Sequence, residues 1–122
     1  MRGVIISTAL LIAALIFIIW AGVVADDSLT SLIEKTEALP DEPTEGVADM
    51  LDIIEEEWNK HKEIYSAIIK FDFVYNFSKE LNAARAGVEA EDSGTYLAAK
   101  NSIINILEYL RDVQRIRLDN II

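Results

Sequence analysis

The chain contains no cysteine, one histidine, two prolines and five glycines in 122 residues. Without cysteine there is no disulfide, no thiolate nucleophile, no lipid-modified cysteine and no zinc-thiolate cluster. The single histidine, His61, excludes a helical di-iron centre, which needs the Glu-x-x-His pattern twice together with two further carboxylates. Glu57 lies four residues before His61 on the same helical face, but one such pair does not make a metal site, and no metal or other cofactor is expected. Glycine-rich phosphate loops and the glycine elbow of serine hydrolases are also missing, so Ser66, Ser78 and Ser102 carry no sign of nucleophilic catalysis. Bases are scarce as well. The 11 Lys and Arg stand against 21 Asp and Glu, a net charge of -10, which argues against a nucleic-acid partner.

What is present divides sharply. Apart from Arg2, every charged residue lies beyond residue 25. Residues 4–24, VIISTALLIAALIFIIWAGVV, are uncharged, and their only polar hydroxyls, on Ser7 and Thr8, can bond back to helix carbonyls. At about 1.5 Å per residue this run matches a hydrocarbon layer of about 30 Å. Trp20 near its end suits a membrane interface. Arg2 before the run and Asp26 and Asp27 after it place the N-terminus in the cytoplasm and the remainder outside, by the positive-inside rule. The expected location is therefore the cell membrane, single-pass, with an extracytoplasmic C-terminal domain. A signal peptide cleaved after Ala25 is the competing reading, and both export the same domain. The exported acids are uneven: residues 26–63 hold 13 acids and 3 bases, whereas residues 64–122 hold 8 and 7. A run of that kind reads first as a solvated, repulsive face.

The periodicity predicts an all-α protein: an N-terminal transmembrane helix followed by an antiparallel bundle of about three helices. Residues 1–25 form the anchor or an uncleaved signal segment. Residues 26–39 form a short amphipathic helix with Leu29, Leu32, Ile33, Thr36 and Leu39 on one face, able to continue the anchor without a break. Residues 40–46, PDEPTEG, hold both prolines and form the linker. Residues 47–122 form an extracytoplasmic helical domain. Val47, Leu51, Ile54, Trp58, His61, Tyr65 and Ile68 are spaced by four and three, a heptad seam. No turn signal interrupts residues 47–86, so a single long helix is expected there. Gly87 is read as its stop, Asp92 or Ser93 as the next cap, and Tyr96, Ile103, Ile106, Leu107, Leu110, Val113 and Ile116 as the apolar face of the last helix.

The stretch FDFVYNF, residues 71–77, alternates aromatic and other residues as a half-buried strand would. At about 100° per residue the aromatics instead form two pairs, Phe71 with Tyr75 and Phe73 with Phe77, with Val74 and Leu81 filling the arc beside them. A helix that packs on two sides is the better reading.

The anchor with its short cytoplasmic end, EEEWNKHKEIYSAIIKF, SKELNAARAGVEAED and the closing NILEYLRDVQRIRLDNII together resemble the family catalogued as domain of unknown function 4363. Trp58 and the Asn120-Ile121-Ile122 end carry the likeness most directly. The resemblance implies a small, single-anchor, helical protein of Gram-positive bacteria and implies no activity. FDFVYNF departs from it, standing where the family is more polar.

Glu55, Glu56 and Glu57 point in different directions around a helix, which suits a solvated face better than acid/base chemistry. No enzymatic activity is expected. The leading reading is a membrane-anchored helical module that binds another protein, either a membrane or extracytoplasmic partner or a copy of itself. Trp58, Phe71, Phe73, Tyr75 and Phe77 are its candidate contact residues. The alternative is a sensory bundle that encloses a small ligand beside Phe71, Tyr75 or Trp58.

Overall fold

A computed structural model describes residues 1–68 and 71–121, with all of their side chains except those of 67, 68, 71 and 121. The described chain is all-helical: α1 (Arg2–Glu37), α2 (Val47–Ile68), α3 (Phe71–Glu89) and α4 (Ser93–Ile121). Each helix packs on its neighbours in sequence, α4 closes against α1, and among the described residues no Cα atoms of the diagonal pairs, α1 with α3 and α2 with α4, approach within 8 Å. The result is a four-helix bundle.

α1 is the longest element. Its 36 residues span about 54 Å at 1.5 Å each. Asp26 and Asp27 do not break it, so the apolar run and the short amphipathic helix are one rod. The rod has two environments. Residues 2–18 are exposed all round, whereas Ala21, Gly22, Ala25, Ser28, Leu29, Leu32, Ile33 and Thr36 are buried. By length and composition its N-terminal part can cross a membrane.

The seam on α2 packs as its spacing predicts as far as Tyr65; the Ile68 side chain lies outside the described residues. Val47, Leu51, Ile54, Trp58 and Tyr65 are buried, and His61 sits at the boundary. The long single helix over residues 47–86 is a correction. α2 ends at Ile68 and α3 starts at Phe71, and the two run antiparallel: Trp58 stacks on Phe77 with ring centroids 3.9 Å apart, and Arg85 pairs with Asp52 at 2.7 Å and with Glu55. Neither glycine nor proline occurs near this reversal, so no local signal announced it. Tertiary burial supplies the reason. A straight helix would leave Trp58 and Phe77 about 28 Å apart along its axis, each with an apolar face in water, whereas the hairpin lets each ring cover the other.

The end of α3 also differs from expectation. Gly87 lies inside the last turn, and the stop comes at Glu91, whose φ of 53° is left-handed. The Asp92 N–H donates to the Gly87 carbonyl at 2.9 Å and the Glu91 N–H to that of Val88 at 3.2 Å, the paired bonds of a Schellman cap. A left-handed conformation costs a non-glycine residue about 1 kcal/mol or more. Glu91→Gly is therefore expected to raise stability by about 1 kcal/mol, read as a shift in the urea midpoint with unchanged slope. Asp92 then caps α4: its carboxylate accepts from the Thr95 N–H at 3.1 Å and the Thr95 hydroxyl at 2.7 Å, and these bonds hold its pKa below the usual value.

The 38–46 connection is fastened to α4. Lys100 is 6% exposed and donates to the Leu39 carbonyl at 2.7 Å and to Asp41 at 3.0 Å. The Tyr96 hydroxyl donates to the Pro40 carbonyl at 2.6 Å. The two prolines remove two N–H donors from this connection; the Glu42 carbonyl accepts from the Thr44 N–H at 2.8 Å, and α4 supplies the donors for those of Leu39 and Pro40.

Candidate interaction surface

Of the five aromatic candidates, Trp58 and Phe77 are core residues. Trp58 is 1% exposed and Phe77 0%, and Tyr65 lies against Trp58 with centroids 4.6 Å apart. As candidate contact residues these two need correcting, because the bundle interior consumes both rings and leaves a partner nothing to touch. Among the described residues the Trp58 Nε1 hydrogen has no partner, and the ring is held there by shape and stacking. The Phe71 side chain lies outside the described residues.

Phe73 and Tyr75 separate. Phe73 is half-buried and meets Tyr109 of α4 with ring centroids 5.0 Å apart, while Tyr75 is 60% exposed on the other flank of α3. The two aromatic pairs of FDFVYNF thus have unequal fates. The flank with Phe77 and Phe73 packs, and Tyr75 remains in solvent. Tyr109 is 52% exposed. The sequence reading passed over it, although three positions beyond Ile106 and four before Val113 it lies at the edge of the apolar face. The signal that could have found it is its spacing of four from Val113 and seven from Ile116, a secondary row beside the main one.

The α1–α2 interface contains a polar cluster. The hydroxyls of Ser28 and Tyr65 are hydrogen-bonded to each other, and Ser28 Oγ lies 3.3 Å from His61 Nδ1. Ser28 is 5% exposed, which shuts a substrate carbonyl out and leaves the contact a structural tie between the two helices. Burial pushes the Tyr65 hydroxyl from 10.0 up to about 12; the Ser28 bond opposes this and the Glu57 charge adds to it. A pKa raised on folding contributes stability that is complete below pH 10 and lost as pH rises through 12. Absorbance at about 295 nm during alkaline titration is therefore expected to show Tyr65 ionising at about 12, with Tyr96 also raised by burial and by the Asp41 charge, together with loss of helix.

Beside this cluster, an open groove of about 320 Å³ is lined by Lys35, Ile53, Glu56, Glu57, Lys60 and His61. Lys35 is ion-paired with Glu57 across it. No group of three or more His, Cys, Asp or Glu side chains converges as a metal site among the described residues.

No family model, no curated protein and no solved structure matches this chain.

Proposed function

We propose that this protein is a non-enzymatic, membrane-anchored helical module that binds another protein through the outer face of its α3–α4 seam. The observation that carries the reading is the Phe73–Tyr109 pair, one ring half-buried and the other half in solvent. A tyrosine held by a neighbouring ring loses little conformational freedom on binding and offers both an apolar face and a hydroxyl, the properties that make tyrosine a frequent anchor of interfaces. Residues 1–20 of α1 act as the anchor, and the bundle stands on the extracytoplasmic side. The topology implied by the resemblance to domain of unknown function 4363 is the same and belongs to this proposal.

A ligand held beside Trp58 has no comparable support, since Tyr65 and Phe77 already lie against the indole. The partner surface is tested by crosslinking and capture of the full chain from its own membranes. Tyr109→Glu should remove the specific partner, while Ile53→Glu, equally exposed at 52% on α2, should retain it. An identical partner set for wild type and Tyr109→Glu contradicts the assignment of this face.

A further inference from the structure

The four helices do not end at one level where α1 leaves the bundle. Ser28 meets Tyr65, which sets the end of α2 close to the level of Ala25 on α1. Phe73 meets Tyr109, which sets the start of α3 close to the level of Arg111 on α4. α4 runs on for ten residues past Arg111, to Ile121. Along this extension it lies against α1, with Arg115 paired to Asp26 at 2.8 Å and Leu118 seated where a Cβ on Gly22 would come within 2.7 Å of it.

Lys100 opposite Leu39, Arg115 opposite Asp26 and Leu118 opposite Gly22 fix an antiparallel register in which each step along α4 matches one step back along α1. Continued to its end, that register brings Asp119 and Asn120 level with Trp20. We propose that the last turns of α4, residues 114–121, lie in the phospholipid headgroup layer, so that the protein meets the bilayer with two helices. The inference rests on the reading of α1 as a membrane anchor.

The side chains of this segment fit that layer. Ile116 is 61% exposed and is flanked in sequence by the exposed Arg115 and Arg117. In water, an isoleucine so exposed forgoes burial. In the headgroup layer its aliphatic end reaches the acyl boundary, while the stem of Arg115, whose guanidinium is paired with Asp26, lies along apolar surface. Trp20, 53% exposed at the same level, is the residue type that settles at this depth. The lengths agree too. The lipid-accessible part of α1, residues 3–20, in which only Ile19 is partly covered, measures about 27 Å at 1.5 Å per residue, close to a hydrocarbon layer of about 30 Å, which leaves residues 21–25 and the α4 turns beside them at the headgroups. The prolines, the acidic residues 41–57 and the α3–α4 turn are carried to the opposite end, about 28 Å farther out.

The absence of cysteine makes the test clean. Ile12→Cys, Ala90→Cys and Ile116→Cys are each introduced into the full chain, spin-labelled and reconstituted in phosphatidylcholine/phosphatidylglycerol vesicles. Collision rates with oxygen and with a water-soluble nickel chelate are then compared. All three positions are exposed, so circular dichroism should match the unlabelled protein. The expected result is oxygen-dominated collision at Ile12, nickel-dominated collision at Ala90, and at Ile116 a nickel collision rate several-fold below that at Ala90 with oxygen access retained. Nickel access at Ile116 equal to that at Ala90, with Ile12 still protected, overturns the headgroup placement and leaves the anchor standing. Nickel access at Ile12 overturns both. Protection of Ile116 from oxygen and nickel alike, with dipolar broadening between labels, would show a second copy covering the site and also overturns the placement.

Discussion

Trp58→Ala is expected to remove about 3–5 kcal/mol of folding stability, a large share of the roughly 5–15 kcal/mol that a domain has. The indole is 1% exposed, stacked on Phe77 from the facing helix and packed on Tyr65 from its own. Removing it opens a cavity where α2 and α3 hold each other, and it takes away the stacked contact that keeps the two helices antiparallel. Among the described residues the indole N–H has no hydrogen-bond partner, so its loss carries no penalty of its own. Trp58→Phe should accordingly cost much less, about 1–2 kcal/mol, because it keeps an aromatic face and deletes only the orphaned donor with part of the volume. Urea denaturation of both variants checks the pair. Equal losses would mean that the ring's polar end, not its stacking face, matters to the fold.

Gly87→Ala is the second large effect, and here two opposing terms must be weighed. Gly to Ala in a helix ordinarily gains about 0.5–1 kcal/mol. At Gly87, however, the new Cβ would lie 2.7 Å from the Tyr96 backbone nitrogen and 2.8 Å from its Cα, and backbone cannot swing aside. α3 and α4 must separate, which strains the Schellman cap that joins them, and the net loss is expected to be about 2–3 kcal/mol. Gly22→Ala provides the contrast. Its Cβ would meet the Leu118 Cδ2, the end of a flexible side chain, at 2.7 Å, so relaxation is cheap and the helix-propensity gain offsets it to a net change near zero. Thermal melts of the two variants should therefore separate widely. Similar melting temperatures would contradict the rigid contact at Tyr96.

Much of this architecture was legible in the residues. The heptad seam through Val47, Leu51, Ile54, Trp58 and Tyr65 is buried as spaced, Leu29, Leu32, Ile33, Thr36 and Leu39 form one buried face, and α1 does run on from the apolar stretch. These succeed because a helical stripe must face a core, whatever that core is. The α2–α3 reversal was not legible. Its cause is the pairing of Trp58 with Phe77, a long-range contact that leaves no mark in local sequence. The same limit applies to Gly87, whose role is close approach to Tyr96 and not chain termination, and to Glu91, a residue with no turn preference forced left-handed by its neighbours. The contact residues suffered most. Periodicity places an aromatic on a face but does not say whether that face meets the core or the solvent, and so Trp58 and Phe77 joined the core while Tyr109 was passed over.

At the centre of this account is a shared helix: α1 carries both an apolar stretch long enough to cross a membrane and one wall of the bundle, with the division near Ala21. Leu29, Leu32 and Ile33 are each almost wholly buried, at about 1.5–3 kcal/mol apiece, and their sum rivals the entire stability of a small domain. The most direct measurement is the thermal unfolding, by circular dichroism, of two shortened chains, one lacking residues 1–20 and one lacking residues 1–37. The account predicts that the first is soluble, helical and melts cooperatively, whereas the second shows no cooperative transition. A cooperative melt of the chain without residues 1–37, at a temperature matching that of the longer one, would contradict it.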